Sequence, residues 1–438
     1  MPHRLDTRAP DFEAVFARFL GAKRAEQADV RVKVAELLAS VALRGDAALV
    51  ELTERFDRQR LRPDELRVPA AEIEAAAQSC DEATLSALRL AAERIADYHR
   101  RQKPEDLDYR DEAGVRLGQF WTSIESVGLY VPGGTAAYPS SVLMNALPAK
   151  VAGVPRLVMT VPAPDGLLNP LVLAAAQLAG IDEIYRVGGA QAVAALAYGT
   201  ETIAPVDKIV GPGNAYVAEA KRQVFGLVGI DMIAGPSEVL VVADADNEPA
   251  WIAADLLAQA EHDSAAQSIL ITDSTALAEA VAGQVEAHLQ RLPRAETARA
   301  SWESHGAIIL VSTLSDAVPL IDRIAPEHLE LAMDEPDGLL AAVRNAGAIF
   351  LGRHTPEALG DYVAGPNHVL PTDRSARFAS GLSVLDFMKR SSILACDPQS
   401  LARLGPAAVT LAKAEGLDAH ALSVALRLRQ HLDVDGDG

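Results

Sequence analysis

Cysteine and long apolar segments are both scarce in this chain. Only Cys80 and Cys396 are present among 438 residues, far apart and without CxxC spacing. This excludes a disulfide framework and nearly excludes a cysteine-based zinc site. No stretch approaches the uncharged apolar length that spans a bilayer, and the first residues lack the apolar core of a secretory signal. The sequence therefore predicts a cytoplasmic protein with no membrane partner.

Basic residues are also few relative to acidic ones. The chain has 40 Lys and Arg against 60 Asp and Glu, a formal net charge of -20. Such a field repels phosphate backbones, so nucleic acid is excluded as a favoured partner. What remains is ordinary for a globular enzyme, with 49% hydrophobic and 23% charged residues. A chain of this length exceeds what one core usually organises, so two or more domains are expected.

The order of apolar runs predicts an α/β fold. From about residue 126, short runs rich in Val and Ile, such as "SVGLYV", "RLVMTV" and "SEVLVVA", alternate with glycine-containing turns and Ala/Leu-rich segments. This alternation predicts βαβ units and largely parallel sheets. Two sets of runs predict two α/β domains, at 127–235 and 236–380. Helical periodicity predicts an N-terminal helical region, 1–126, packed partly on the second domain, and a helical tail, 381–438.

Three glycine-containing loops follow predicted strands of the first set. They are "YVPGGTAAYPSS", "VGGAQAV" and "VGPGN", and each offers one polar side chain: Tyr130, Gln191 and Asn214. None of the loops has the GxGxxG fingerprint of a standard dinucleotide site. Each alone is best interpreted as a tight turn, but three at the carboxyl ends of parallel strands modestly favour a cofactor crevice.

The stretch "QAEHDSAAQ" places Gln259 and His262 three residues apart, on one face of a helix. A metal site needs several converging donors. Asp361, His368 and His420 are candidates elsewhere in the chain, but their distance in sequence gives no geometry. From the residues alone, this face is either part of a metal site or a solvated helix end.

A second polar pair, Glu327–His328, lies in "RIAPEHLEL" directly after Pro326. A carboxylate and an imidazole are the commonest acid/base residues near neutral pH. Adjacent side chains of a regular strand point to opposite faces, whereas in a bend they can serve one site. A loop with a surface histidine is about as well supported by these residues. Ser237, in a Gly-Pro-Ser turn, is a weak candidate on spacing alone.

Taken together, these segments resemble the histidinol dehydrogenase family. The most specific element is "IDMIAGPSEVLVVAD" followed by "AADLLAQAEHD". The segments "GLYVPGGTAAYPS", "VGGAQAVAALAYGT", "KIVGPGN", "APEHLEL", "GDYVAGPNHVLPT" and "AEGLDAHALSV" occur in the family's order. The resemblance implies two Rossmann-like domains with parallel sheets that lack GxGxxG, together with helical N-terminal and C-terminal extensions.

The resemblance also implies a site and a reaction. One Zn²⁺ per subunit would be bound by Gln259, His262, Asp361 and His420. Glu327 and His328 would be catalytic, and the NAD⁺ site would be lined by Tyr130, Gln191 and Asn214. The substrate-binding set would be Ser237, Gln259, His262, Glu327, His328, Asp361, His368, Glu415 and His420.

The implied reaction takes L-histidinol, two NAD⁺ and water to L-histidine and two NADH through a bound aldehyde, the last step of histidine biosynthesis. His328 would take the hydroxyl proton, and Glu327 would activate water for the second oxidation. The family resemblance further implies a homodimer in which the C-terminal tail reaches the partner's site.

Three other functions stay open on the residues alone. A related dehydrogenase would act on another small amino- or sulfonate-bearing alcohol. A zinc-storing or regulatory protein would keep the metal ligands, and the presence of Glu327 and His328 argues against it. A metallohydrolase needs only zinc, water and a carboxylate, but it leaves the three glycine-containing loops without a role.

Overall fold

The computed structural model describes residues 1–22, 30–133 and 138–432. The strands are β1 (His3–Asp6), β2 (Leu107–Arg110), β3 (Arg116–Ser123), β4 (Ser126–Tyr130), β5 (Arg156–Thr160), β6 (Glu183–Tyr185), β7 (Lys208–Val210), β8 (Gly229–Ile230), β9 (Glu238–Ala243), β10 (Gln267–Thr272), β11 (Ala307–Leu310), β12 (His328–Ala332), β13 (Ala348–Leu351) and β14 (Met388–Ala395).

The helices are α1 (Phe12–Gly21), α2 (Arg31–Arg44), α3 (Asp46–Asp57), α4 (Ala70–Ser79), α5 (Glu82–Arg100), α6 (Pro139–Ala152), α7 (Pro170–Leu178), α8 (Gly189–Tyr198), α9 (Ala215–Val224), α10 (Pro249–Ala260), α11 (Thr275–Leu289), α12 (Ala295–His305), α13 (Val318–Ile324), α14 (Asp337–Ala342), α15 (Glu357–Tyr362), α16 (Pro398–Ala414) and α17 (Asp418–Leu432).

These elements form two compact units. The first contains the described parts of Met1–Gln102 and Glu125–Phe387, and the second those of Lys103–Ile124 and Met388–Gly438. Both predicted α/β segments, 127–235 and 236–380, lie in the first unit. The predicted α/β class with parallel sheets is confirmed.

The first parallel sheet has the strand order β6-β5-β4-β7-β8. Its central strands β4 and β5 are buried on both faces, which is why they appear in the sequence as nearly continuous apolar runs. Gly128 in β4 allows α8 to approach closely, since a Cβ there would lie 2.9 Å from a methyl carbon of Leu196. Helices α2 and α3 pack over α8, and α4 and α5 pack against α7 and α6.

The second parallel sheet has the order β1-β11-β10-β9-β12-β13. Two buried apolar clusters cover its faces, one including Phe16 of α1 and the other Trp302 of α12. The N-terminal region is therefore divided: β1 and α1 join this second sheet, whereas α2 to α5 pack on the first.

Both sheets reverse their strand order once. In the first sheet, the chain runs from β4 to β5 and β6 on one side and then to β7 on the other. In the second sheet, it runs from β9 to β10 and β11 on one side and then to β12 on the other. In open α/β sheets, ligands bind in the crevice at such a switch point.

The second unit contains an antiparallel sheet, β14-β3-β2, and the packed helix pair α16 and α17. The tail predicted as helical from residue 381 therefore begins with a strand, and β2 and β3 lie inside the predicted helical region 1–126. The sequence prediction was wrong at these strands because few of their residues are buried and they show no apolar alternation, and because β14 pairs with the distant β3. Among the described residues, no helix is long and apolar enough to cross a membrane.

Candidate active site

Glu327 and His328 lie where β12 begins, beside the start of β9. Glu238 is the first residue of β9, and His328 is in register with Val239. Glu238 and Glu327 are joined by two hydrogen bonds, each from the backbone of one residue to the carboxylate of the other. Glu238 N–H donates to Glu327 Oε2 at 2.9 Å, and Glu327 N–H donates to Glu238 Oε2 at 3.2 Å. Both predicted catalytic residues are therefore buried and fixed at the amino edge of the second sheet.

The position of the proton on His328 follows from its contacts. His328 Nδ1 lies 3.0 Å from the carbonyl oxygen of Glu238, which can only accept, so Nδ1 carries the hydrogen. Burial lowers the pKa of His328, against the raising effect of Asp361, so the ring is neutral near pH 7. Nε2 then keeps its lone pair, and it has no hydrogen-bond partner among the described residues. This nitrogen can accept a proton from a bound molecule.

Asp361 and His368 approach the same imidazole. Asp361, in α15, places Oδ1 3.8 Å from His328 Nε2 and 4.0 Å from His368 Nδ1. His368 Nδ1 donates to the Asp361 carbonyl at 3.0 Å, so its Nε2 is also the accepting nitrogen. Burial lowers the pKa of His368 too. Two neutral imidazoles and a carboxylate thus share one small region.

Gln259 is the penultimate residue of α10, and His262 lies in the turn just after that helix. Gln259 has no exposed surface, yet neither of its amide atoms has a hydrogen-bond partner within the described chain. His262 is exposed, and an electrostatic interaction with it lowers the pKa of both His328 and His368, so it lies near them. A buried amide without partners is costly unless a ligand supplies the missing interaction.

Sequence reasoning missed several buried carboxyl groups around His328. Burial raises the pKa of Glu357 and of Glu330 well above the ordinary range, and nearby carboxylates add to the effect. Burial also raises the pKa of Asp255 to about 6. One signal was available: Glu330 interrupts the otherwise apolar strand "HLELA". An acidic residue in such a run has to be buried, and a buried acid is a candidate site residue.

Two donor sets compete for a cation in this region. Ligand atoms of His328, Glu357 and Asp361 lie within 4.8 Å of one another. The set predicted from the family resemblance contains Asp361 with Gln259, His262 and His420 instead. The unpartnered Gln259 amide fits a metal ligand, and its oxygen, a carboxylate and imidazole are donors that zinc accepts. The hydrogen bond from His328 Nδ1 to Glu238 leaves Nε2 available to a cation, so both sets offer ligand atoms.

The three loops predicted to bind a cofactor meet at the switch point of the first sheet. Tyr130 ends β4, and its hydroxyl accepts from Gly189 N–H at 3.1 Å, where α8 begins. Burial raises the pKa of Tyr130 to about 12, so its hydroxyl stays protonated. Gln191 is buried in the first turn of α8, and Asn214 caps α9 by accepting from the N–H groups of two residues of its first turn.

Glycines allow these loops to come close. Gly189 has φ 66°, and a Cβ there would lie 2.7 Å from Gln191 Oε1. Helices α8 and α9 are among those that begin at this edge, and N–H groups at a helix N-terminus favour anions such as a diphosphate. The loops therefore fit a dinucleotide without the usual glycine fingerprint. Part of the loop "YVPGGTAAYPSS", residues 134–137, lies outside the described residues.

Comparison with known proteins identifies the family of this chain. The histidinol dehydrogenase family model matches residues 21–428. Curated histidinol dehydrogenases are 68% identical over 428 residues in Bradyrhizobium diazoefficiens (98% of this chain, 99% of that one) and 66% identical over 430 residues in Rhodopseudomonas palustris (98% and 100%). A crystal structure of histidinol dehydrogenase from Elizabethkingia anophelis superposes with a TM-score of 0.93 at 35% identity, covering 98% of both chains.

The chain belongs to the histidinol dehydrogenase family. The family predicted from the sequence is confirmed, and with it an oxidoreductase.

Two of the residues that the histidinol dehydrogenase resemblance singled out, Glu415 and His420, lie in the second unit. Glu415 ends α16 and His420 lies in the first turn of α17. Both are exposed, and both line one concavity between these helices. Ser237 lies in the first unit directly before β9, where its carbonyl accepts from Gln267 N–H at 2.9 Å.

The carboxyl edge of the second sheet differs from that of the first. Arg353, just after β13, forms ion pairs with Asp244 at 2.6 Å and with Asp334. Asp244 follows β9 and Asp334 follows β12, so the guanidinium occupies the carboxyl end of this switch point. In this histidinol dehydrogenase relative, the buried pair Glu327 and His328 lies at the opposite, amino edge of the second sheet.

Proposed function

We propose that this protein oxidises L-histidinol to L-histidine in two NAD⁺-dependent steps, completing histidine biosynthesis. The observation that carries the proposal is the buried imidazole of His328, whose accepting Nε2 lies beside Asp361. Its neighbours Gln259 and His262 supply the donors of a zinc site. Family membership, at 68% identity to a curated relative, supports the same reaction.

Four residues would hold the zinc: Gln259, His262 and Asp361 from the first unit and His420 from the second. When bound, Zn²⁺ would anchor the imidazole and amino nitrogens of the substrate, and NAD⁺ would accept the hydride. The NAD⁺ would lie against Tyr130, Gln191 and Asn214.

His328 is the base of the first oxidation. Its Nε2 takes the hydroxyl proton, while the Nδ1–H···O=C bond to Glu238 keeps the ring in the required tautomer at 3.0 Å. Burial keeps the imidazole neutral before the reaction. The nearby Asp361 carboxylate, 3.8 Å from Nε2, stabilises the imidazolium that forms.

Glu327 is the base of the second oxidation. Glu238 N–H holds its Oε2 at 2.9 Å, which fixes the carboxylate next to His328. From this position Glu327 activates water for addition to the bound aldehyde. Ser237, His368 and Glu415 contact the substrate in this proposal, and burial keeps His368 neutral for that role.

The proposed assembly is a homodimer in which the second unit of each chain reaches the partner's site. Its helices leave large apolar side chains exposed, including Leu411 at 64%, Leu422 at 55% and Leu426 at 51%. Apolar surface of this kind is typical of an interface. Exposed Glu415 and His420, which line one concavity on the same helix pair, fit delivery of these two residues to a second copy.

The assignment is tested by separating the two half-reactions. Glu327→Gln keeps the shape of the side chain but removes the base, so aldehyde oxidation is expected to slow by about 10²–10⁴-fold with histidinol oxidation much less affected. Single-turnover NADH absorbance with histidinol and with histidinal measures both steps. Equal losses in the two half-reactions would contradict the role of Glu327.

Substrate identity is tested with a panel of small amino alcohols and hydroxysulfonates at saturating NAD⁺. We expect histidinol to have the highest kcat/KM, because only its imidazole and amine together supply two nitrogen ligands. Turnover of another alcohol with none of histidinol would remove the proposed function.

A further inference from the structure

Gly211 begins the loop that joins β7 to Asn214 and α9. Its φ of 112° lies in the left-handed region, and a Cβ there would be 2.1 Å from the Tyr130 carbonyl oxygen. Only glycine fits this contact. The loop therefore packs directly on the end of β4, at the switch point where the cofactor is proposed to bind.

Both backbone polar groups of Gly211 are bound by side chains from other elements. Its N–H donates to Asp231 Oδ2 at 2.8 Å, and its carbonyl accepts from Lys221 Nζ at 2.9 Å. Lys221 lies in α9 and Asp231 directly follows β8. Lys221 and Asp231 also form an ion pair with each other, and their side chains are only 3% and 1% exposed. The three groups form a closed ring around Gly211.

A buried ion pair is a poor means of stabilising a fold. Removing two charges from water costs about as much as their attraction returns, and an apolar pair of similar volume is often as stable. The hydrogen bonds of the ring have a different effect. The Lys221 amine binds the Gly211 carbonyl while the Asp231 carboxylate binds the Gly211 N–H, and an apolar pair could make neither bond. The ring therefore specifies a backbone position.

We propose that Lys221 and Asp231 are positioning residues for the cofactor. They fix the Gly211–Asn214 loop and the start of α9 against Tyr130, in the one arrangement that binds NAD⁺. The inference rests on the proposed function, because it takes this crevice to be the NAD⁺ site. Neither side chain touches the cofactor, and both act through Gly211.

Two variants of the full-length protein test the ring. Lys221→Met removes the donor to the Gly211 carbonyl, and Asp231→Asn keeps an acceptor for Gly211 N–H while removing the charge. Because the loop is displaced, Lys221→Met is expected to raise the Kd and the KM for NAD⁺ about 10- to 100-fold, and Asp231→Asn is expected to raise them less. In both variants, kcat at saturating NAD⁺ and the KM for histidinol should stay within about threefold of the wild-type values. Calorimetry with NAD⁺ and steady-state NADH absorbance measure these values. If Lys221→Met does not fold, Asp231→Asn decides.

Arg156→Met is the matched control. The Arg156–Glu183 ion pair, at 2.9 Å, joins the starts of β5 and β6 at the opposite edge of the same sheet. Its loss is expected to lower the melting temperature and leave the Kd for NAD⁺ unchanged.

The outcomes separate the two proposals. If the wild-type protein binds no NAD⁺, the proposed function fails and the inference fails with it. If the wild type binds NAD⁺, two results would overturn only the positioning role. Either both ring variants bind NAD⁺ as well as the wild type does, or Arg156→Met weakens NAD⁺ binding as much as the ring variants do.

Discussion

Gln259 and Glu261, near the end of α10, present a choice between two oxygen donors. A carboxylate is ordinarily the stronger zinc ligand, yet Glu261 is the C-cap residue, whereas Gln259 is buried with an unpartnered amide. Gln259→Ala is therefore expected to lower zinc affinity by about 10- to 100-fold or more, and Glu261→Ala to leave it nearly unchanged. Metal content after dialysis and titration against a chromogenic chelator measure both. Loss of zinc in Glu261→Ala with retention in Gln259→Ala would reverse the ligand assignment.

Asp255 makes stability depend on pH. Burial raises the pKa of this carboxyl from 3.8 to about 6 in the folded state, so the folded protein binds the proton more tightly than the unfolded chain. Its contribution is greatest below pH 3.8 and is lost as the pH rises through about 6. Asp255→Asn is therefore expected to be more stable than the wild type at pH 8, by at most about 3 kcal/mol. At pH 5 this gain in the free energy of unfolding should be roughly 1.5 kcal/mol smaller.

Urea unfolding at pH 5 and pH 8 measures this difference in the free energy of unfolding. Glu93→Gln, at an exposed position of α5, is the control and should show no such change between the two pH values. A stability gain in Asp255→Asn that is the same at both pH values would show that Asp255 is not protonated in the folded protein at pH 5.

At the scale of elements, Glu330 fixes the start of the helix that carries Asp361. Its Oε1 accepts from Glu357 N–H at 2.6 Å, which joins β12 to α15. Glu330→Ala is expected to displace Asp361 and weaken zinc binding about 10- to 100-fold, whereas Glu330→Gln, which keeps an accepting oxygen, should stay within about threefold.

Asp322→Ala is the control for Glu330. Asp322 Oδ1 accepts from Arg344 N–H at 2.8 Å, the same kind of contact away from the site. Its loss should lower stability without changing zinc affinity in the same chelator titration. Equal zinc affinity in Glu330→Ala and the wild type would exclude the positioning of α15 by Glu330.

Elements with strong local signals could be predicted from the sequence. Strands such as β5, β9 and β10 are buried on both faces, so their apolar runs are visible in the sequence. The strands β1 and β14 could not be found this way, since they are short or polar and their pairing to β11 and β3 depends on distant residues.

The candidate site likewise has a part that local sequence predicts and a part that depends on the fold. Helix periodicity predicts a shared face for Gln259 and His262, but α10 ends at Ala260, so His262 lies in the turn that follows it. A convergence of these two residues on Asp361 would depend on how α10 and α15 pack, and only the family resemblance predicts it. Glu357 and Glu330 were missed because acidic residues are nearly always exposed, so their burial is known only from the fold.

At the scale of the whole molecule, the proposed site draws on both compact units. Gln259, His262 and Asp361 belong to the first unit and His420 to the second. If each second unit serves the partner's site, then two inactive variants with defects in different units can complement each other. In a dimer of Gln259→Ala with His420→Ala, one site receives both defects and the other receives neither.

Mixing the two variants through reversible unfolding, or expressing them together, is therefore expected to restore activity to about one quarter of the wild-type value. Half of randomly formed dimers are mixed, and each of these has one intact site out of two. NADH formation with histidinol measures the recovery, and either variant refolded alone should stay inactive. If His420 instead served the site of its own chain, every site in the mixture would keep one defect and no activity would return.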